Sequence, residues 1–250
     1  MSPEADAWLG GRLRLRQPPR GAHRAGTDAV LLARLMTPQP GATICDLGAG
    51  TGAVGLAVAI LDPSCRIVLV EGDPEVAGLA RTNAELNGLA DRVRVVEADI
   101  LAGAAARHAA GLVPGLADLV LTNPPFFDEA RHRPSPVTAK RQAHSFGTGD
   151  LDAWIATCAD LLAAKGRLGL IHRADALGEC LDGLRNRFGS LAIRPVHARA
   201  ERPAIRILMT AQKGSRGPST LLPPLVLQNA DGRFTPEAEA LHRGEAWSSS

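Results

Sequence analysis

Asn123-Pro124-Pro125-Phe126 closes the apolar run Ala117-Asp118-Leu119-Val120-Leu121-Thr122, which reads as a short buried strand. The residue types suit one kind of chemistry. An exocyclic amine on an aromatic base has its lone pair delocalised into the ring, so it is a poor nucleophile with no readily removable proton. An Asn side-chain oxygen and a backbone carbonyl beside proline accept both N–H protons. They draw the nitrogen toward tetrahedral geometry and aim its lone pair at an electrophile. An aromatic ring stacked on the base fixes the plane of the acceptor. Taken alone, Pro-Pro only stops a strand and starts a loop. The chain, however, has no tyrosine and five phenylalanines, and two of the five are Phe126 and Phe127. Two phenylalanines just past a strand end need a reason, and a planar acceptor supplies one.

A second constellation lies upstream. Asp46-Leu47-Gly48-Ala49-Gly50-Thr51-Gly52 follows another strand candidate. Gly48, Gly50 and Gly52 permit a tight turn and let a ligand approach the backbone at a helix N-terminus. The stretch also fits the loose dinucleotide pattern Gly-x-Gly-x-x-Gly/Ala, which is weak evidence by itself. Acidic residues recur at the ends of the next strands. Glu71 closes 66–70, where a carboxylate is expected to hold ribose hydroxyls. Val93-Arg94-Val95-Val96-Glu97 leads to Ala98-Asp99-Ile100. With Asp46, this sets three acids at the carboxyl ends of three successive strands, converging on one crevice. Asp73 before Pro74-Glu75 reads as a helix N-cap, and Asp99 by itself reads equally well as a turn residue.

The elements that must position these groups follow a βαβα rhythm. Strand candidates are 43–47, 66–70, 93–97, 118–122 and 166–172, with helices near 52–61, 74–88, 101–110, 151–164 and 175–188. That rhythm predicts an α/β fold with a parallel sheet covered on both faces. Two extended stretches, 191–198 and 203–211, predict an antiparallel pair ending the sheet. Arg12-Leu13-Arg14-Leu15-Arg16 alternates as a strand with one charged face, inside a basic arm of residues 1–25. Gly26-Thr27-Asp28 precedes a helix from Ala29 with Asp28 or Thr27 as its expected cap, stopped by Pro38. Residues 26–212 are assigned to one catalytic domain, and 213–250 to a partly ordered tail with an isolated strand at 225–227, a short helix near 236–243 and disordered last residues.

Bulk composition narrows the class. At 250 residues and 45% hydrophobic, the chain can build one sizeable core. A net charge of +2 does not by itself identify a nucleic-acid binder. Cys45, Cys65, Cys158 and Cys180 form no Cys-x-x-Cys pair, so they read as core thiols rather than a zinc site or disulfide framework. No apolar run reaches the length of a membrane span, and the N-terminus lacks a signal segment, so a cytoplasmic protein is expected.

A glycine turn after one strand and Asn-Pro-Pro-aromatic after a later one resemble the S-adenosylmethionine-dependent methyltransferases that modify planar nitrogens. The resemblance implies a seven-stranded Rossmann-like class I methyltransferase sheet with a C-terminal antiparallel strand pair. It implies S-adenosylmethionine as cofactor and no metal, since the positive sulfur supplies the driving force. It also implies roles: Asp46 near the cofactor's amino-acid end, and Glu71 on the ribose. Asp99 would accept from the cofactor's adenine amine, with Ile100 against the ring. Asn123 and Pro124 orient the acceptor amine beside the cofactor and Phe126 stacks on it, while Pro125 and Phe127 line the acceptor pocket.

Three further segments are more discriminating. Arg24-Ala25-Gly26-Thr27-Asp28-Ala29-Val30-Leu31-Leu32 is similar to the Gly-Thr-Asp-(Gly/Ala)-x-Leu-Leu segment of the bacterial tRNA1(Val) adenine-37 N6-methyltransferase family, which places Thr27 among the cofactor contacts. Ala139-Lys140-Arg141-Gln142-Ala143-His144 and Arg202-Pro203-Ala204-Ile205-Arg206-Ile207-Leu208 resemble the same family. The resemblance implies methyl transfer to adenine N6 of tRNA, with the arm arginines and Arg131, Arg133, Lys140 and Arg141 holding phosphates. As ordinary solvated charges, the same residues would have no such role. One departure stands out: Phe126 replaces the usual Tyr of adenine-N6 enzymes, and Asn-Pro-Pro-Phe also occurs in guanine-N2 methyltransferases of ribosomal RNA. A protein glutamine-amide methyltransferase uses the same logic but typically carries an additional N-terminal helical domain. A silent cofactor-binding, RNA-binding subunit and an NAD oxidoreductase complete the alternatives. His132 and His144 receive no catalytic role, because the transfer needs no strong base.

Overall fold

Short apolar runs that alternate with helical stretches pair naturally as adjacent parallel strands with crossover helices between them. The computed structural model, which describes residues 5–18, 24–125, 147 and 149–247, shows this arrangement. In chain order the elements are β1 (Asp6–Trp8), β2 (Leu13–Leu15), α1 (Thr27–Arg34), β3 (Thr43–Leu47), α2 (Ala53–Leu61), β4 (Arg66–Glu71), α3 (Pro74–Leu86), β5 (Val93–Glu97), α4 (Ala104–Ala109) and β6 (Ala117–Thr122). They continue with α5 (Asp150–Leu161), β7 (Leu162–Arg173), α6 (Leu177–Leu184), β8 (Phe188–His197), β9 (Ala204–Lys213), β10 (Thr220–Leu221), β11 (Leu225–Val226) and α7 (Pro236–His242).

The main sheet runs β10-β8-β9-β7-β6-β3-β4-β5. Strands β3 to β7 are parallel, and β9 is antiparallel to both β7 and β8. The sheet therefore ends in the antiparallel pair expected from 191–198 and 203–211. Its strand count differs from the expected seven. The described sheet has nine, because β10 and β11 add two residues each to the outer edge of β8. The physical reason is the unpaired backbone of an edge strand: Leu222 N–H donates to the Ile193 carbonyl at 2.8 Å, and Leu227 N–H to that of His197 at 2.8 Å. The stretch at 225–227 is thus part of the sheet and not isolated.

Strand alternation splits the core into two layers. Ile44, Ile67 and Leu69 face a cluster with Leu31, Leu32 and Leu56, while Cys45, Leu47, Val68 and Val70 face one with Ile155 and Leu161. All four cysteines are buried and free. Helix α2 lies close on the sheet because position 55 is glycine: a Cβ there would stand 2.4 Å from Leu69 Cδ2. Residues 6–15 form a two-stranded antiparallel sheet whose Leu13 and Leu15 are fully buried in the first cluster, with Arg14 exposed.

Chain order reverses between β3 and β6, which are neighbours although β4 and β5 intervene in sequence. Crevices at such switch points, beyond the carboxyl ends of the strands, are where open α/β sheets bind ligands. The glycine turn follows β3 and Asn-Pro-Pro follows β6, so both flank the crevice.

Candidate active site

Each turn of this site is built from a strand end. After β3 the backbone enters the left-handed region three times, at Gly48 (φ 79°), Gly50 (φ 55°) and Gly52 (φ 85°). The N–H groups of Gly48 and Ala49 both donate to the Val70 carbonyl, at 3.0 and 2.9 Å, which pins the turn to β4. Gly48 is required twice over. Its φ disfavours any side chain, and a Cβ there would lie 2.9 Å from the Trp154 ring. Glu71, at the end of β4, accepts from the Gly50 N–H through Oε2 at 2.9 Å and from the Asp73 N–H through Oε1 at 2.9 Å. Asp73 is the N-cap of α3, accepting from the N–H groups of Glu75 and Val76, as its sequence context predicts.

Asp46 is 1% exposed, and its Oδ2 accepts from the Gly55 N–H at 2.9 Å. Burial, opposed by that hydrogen bond and reinforced by the charge of Glu71, pushes its pKa up to about 7. In the structure Asp46 thus braces the first turn of α2 beneath the glycine turn. Asp99, two residues beyond β5, accepts from the Leu101 N–H at 2.9 Å, and Ile100 is buried. The ends of β3, β4 and β5 are adjacent, so Asp46, Glu71 and Asp99 line one edge in succession.

On the other side of the switch point, Thr122 donates to the Leu47 carbonyl at 2.8 Å, and Trp154 Nε1 donates to Thr122 Oγ1 at 2.8 Å. Thr122 therefore ties the strand bearing Asn-Pro-Pro to the one bearing the glycine turn, while Trp154 holds that hydroxyl from α5 and its ring forms the floor beneath Gly48. Neither Trp154 nor Thr122 was among the predicted site residues. The available signal was that Trp154 is one of three tryptophans in an aromatic-poor chain. Asn123 follows directly, with Pro124 buried and Pro125 exposed. The Asn123 Oδ1 is buried and has no hydrogen-bond partner among the described residues. An orphaned carboxamide oxygen costs about 1–3 kcal/mol, an expense expected where a ligand will satisfy it.

Neither Thr27 nor Asp28 caps α1: the helix starts at Thr27, its N-cap is Gly26 and no side chain caps it, because Asp28 is turned to Arg206. The Thr27 hydroxyl lies 3.4 Å from His242 Nε2 on α7; no described contact joins it to the glycine turn. Its neighbour Asp28 accepts from Arg206 Nε at 2.8 Å, so two of the segments singled out in the sequence meet through an ion pair. Phe126, Phe127, Arg131, Lys140 and Arg141 lie outside the described residues, as do Arg133, His132 and His144. No group of residues suited to hold a metal ion occurs among the described residues.

The sheet order and the glycine turn backed by Glu71 define a class I S-adenosylmethionine-dependent methyltransferase. The methyltransferase small domain profile matches residues 23–193. A tRNA1(Val) (adenine(37)-N6)-methyltransferase of Porphyromonas gingivalis is 31% identical over 226 residues, covering 86% of each chain. Another, from Tolumonas auensis, is 30% identical over 227 residues and 89% of each chain. The crystal structure of a predicted O-methyltransferase from Agrobacterium tumefaciens superposes with a TM-score of 0.75 at 34% identity, covering 88% of this chain and 98% of that one. The chain belongs to the methyltransferase small-domain family and, within it, to the tRNA1(Val) (adenine(37)-N6)-methyltransferase-like proteins. It is an S-adenosylmethionine-dependent methyltransferase. No helix among the described residues is long and apolar enough to cross a membrane.

Proposed function

We propose that this methyltransferase modifies the exocyclic N6 amine of an adenine in transfer RNA. The observation that carries the reading is the buried Oδ1 of Asn123, without a hydrogen-bond partner among the described residues, at the carboxyl end of β6 across the switch point from the glycine turn. An amine hydrogen of the base would satisfy it, and the Pro124 carbonyl would take the second, turning the nitrogen lone pair toward the cofactor. S-adenosylmethionine supplies an electrophilic methyl group on a positive sulfur. In this reading the turn at Gly48, Gly50 and Gly52, with Glu71, Asp99 and Ile100, holds the cofactor, and Asp46 acts from beneath. Thr27 is retained as a cofactor contact on the family resemblance. Phe126 stacks on the base, Pro125 and Phe127 line its pocket, and Arg131, Lys140 and Arg141 hold the RNA backbone. The adenine sits in a single-stranded loop or is turned out of its stack.

The names of the Porphyromonas and Tolumonas relatives support tRNA as acceptor. The Agrobacterium neighbour is instead described as acting on an oxygen. A hydroxyl must lose its proton to attack, and a carboxamide accepts a hydrogen bond without taking the proton, so Asn123 favours the amine.

The test is methyl transfer from labelled S-adenosylmethionine to total RNA of a strain lacking the protein, followed by nucleoside analysis. Label as N6-methyladenosine in tRNA is the expected result. Label as N2-methylguanosine in ribosomal RNA reassigns the base, and no labelled RNA refutes the reading.

A further inference from the structure

Asn83 on α3 is fully buried, and its carboxamide makes three hydrogen bonds. Oδ1 accepts from the Arg16 N–H at 2.7 Å, while Nδ2 donates to the Arg16 carbonyl at 2.9 Å and to the Thr51 carbonyl at 3.0 Å. One helical turn later, Asn87 repeats the first two bonds with Arg14: its Oδ1 accepts from the N–H at 2.9 Å, and its Nδ2 donates to the carbonyl at 2.7 Å. Residues four apart on a helix rise about 6 Å, and alternate residues of a strand about 6.6 Å. The two repeats match, so the asparagines stand in for a neighbouring strand along an edge of β2.

The destination of the third bond sets Asn83 apart. Asn87 also makes a third, but it stays within the helix: its Nδ2 donates to the Asn83 carbonyl at 2.7 Å. Asn83 instead reaches the middle of the glycine turn, where Thr51 lies between Gly50, held by Glu71, and Gly52. The backbone of Arg16 and the cofactor turn are therefore joined through one buried side chain. Strand alternation sends Leu13 and Leu15 inward and leaves Arg14 exposed and Arg16 half-buried. A cationic row suited to a phosphate backbone thus rides on a strand bonded to the turn.

We propose that Asn83 is a positioning residue that couples RNA docking on Arg14 and Arg16 to the cofactor turn. The inference rests on the RNA reading above. A phosphate backbone held by the two arginines keeps β2 against α3, which holds the Asn83 carboxamide in place and the Thr51 carbonyl with it. The turn is then ordered before S-adenosylmethionine arrives. By linkage, the cofactor strengthens RNA binding by the same factor.

The test measures S-adenosylmethionine affinity by calorimetry, with and without saturating bulk tRNA from a strain lacking the protein. In the wild type, tRNA should tighten cofactor binding by about fivefold or more. Asn87→Ala should keep this gain, and Asn83→Ala should lose it. A full gain in Asn83→Ala overturns the proposal, as does tRNA binding with no gain in the wild type. Failure of tRNA to bind at all removes the RNA reading itself, and the coupling with it. Should Asn83→Ala not fold, amide hydrogen exchange of the wild type decides. S-adenosylmethionine alone should slow exchange of the Arg16 amide, and an unchanged rate overturns the link.

Discussion

Replacing Asp46 with asparagine should change how stability depends on pH. Burial lifts the Asp46 carboxyl from 3.8 to about 7 in the folded protein. An acid with a raised folded pKa makes the native state bind an extra proton. Its contribution to stability is complete below about pH 4 and is lost as pH rises through about 7. The shift is about three pH units at about 1.4 kcal/mol each, so this one group withdraws about 4 kcal/mol between pH 4 and pH 8. The carboxamide of Asp46→Asn would keep an oxygen to accept from the Gly55 N–H and carry no charge. Its amide hydrogens, left without partners, would cost about 1–3 kcal/mol. The variant should therefore be less stable than wild type near pH 4 and equal or more stable near pH 8. Urea unfolding of both proteins at several pH values isolates the effect, because titrations shared by the two cancel in the difference. Parallel stability profiles from pH 4 to 8 would refute the reasoning.

Further outcomes follow from the same geometry. Asn123→Ala should lower kcat by about 10²–10³-fold while calorimetry shows near-normal S-adenosylmethionine binding, since only the acceptor amine loses its partner. Gly48→Ala combines a positive φ with a 2.9 Å approach to Trp154; it should destabilise the protein by about 1–3 kcal/mol and weaken cofactor binding, read by thermal melts with and without the cofactor. Trp154→Phe keeps a ring beneath Gly48 but removes the donor to Thr122, and denaturant unfolding should show a loss of about 1 kcal/mol. In Gly55→Ala a methyl group meets Leu69 and Ile67 between α2 and β4, so overpacking of about 1–3 kcal/mol should appear as a lower melting temperature with little change in kcat at low temperature.

The parallel strands were legible because a strand buried on both faces reads as an unbroken apolar run, as Ile67-Val68-Leu69-Val70 does. The glycine turn and the Asp73 cap were legible because their chemistry is local: a φ value, a side chain reaching two residues on. What escaped depends on contacts distant in sequence. Trp154 meets Thr122 across 32 residues and Asn83 meets Arg16 across 67, and no periodicity announces either bond. Asn83 in particular looks like an ordinary helix residue until the strand beside it is placed. Strands β10 and β11 were illegible as sheet members for another reason. Two residues are too few to carry a pattern, and their pairing is decided by the edge they reach.

That edge has a consequence for handling the protein. A bare β8 would present a ten-residue row of backbone groups able to recruit other chains. The C-terminal segment occupies this row with two short pairings separated by Pro223 and Pro224, residues that cannot extend a ladder outward. It also carries Leu225, fully buried against the core. The segment is thus a built-in guard against self-association. A chain cut after Lys213 would retain every residue of the crevice described above, yet should be lost to aggregation during expression before its catalysis could be assayed.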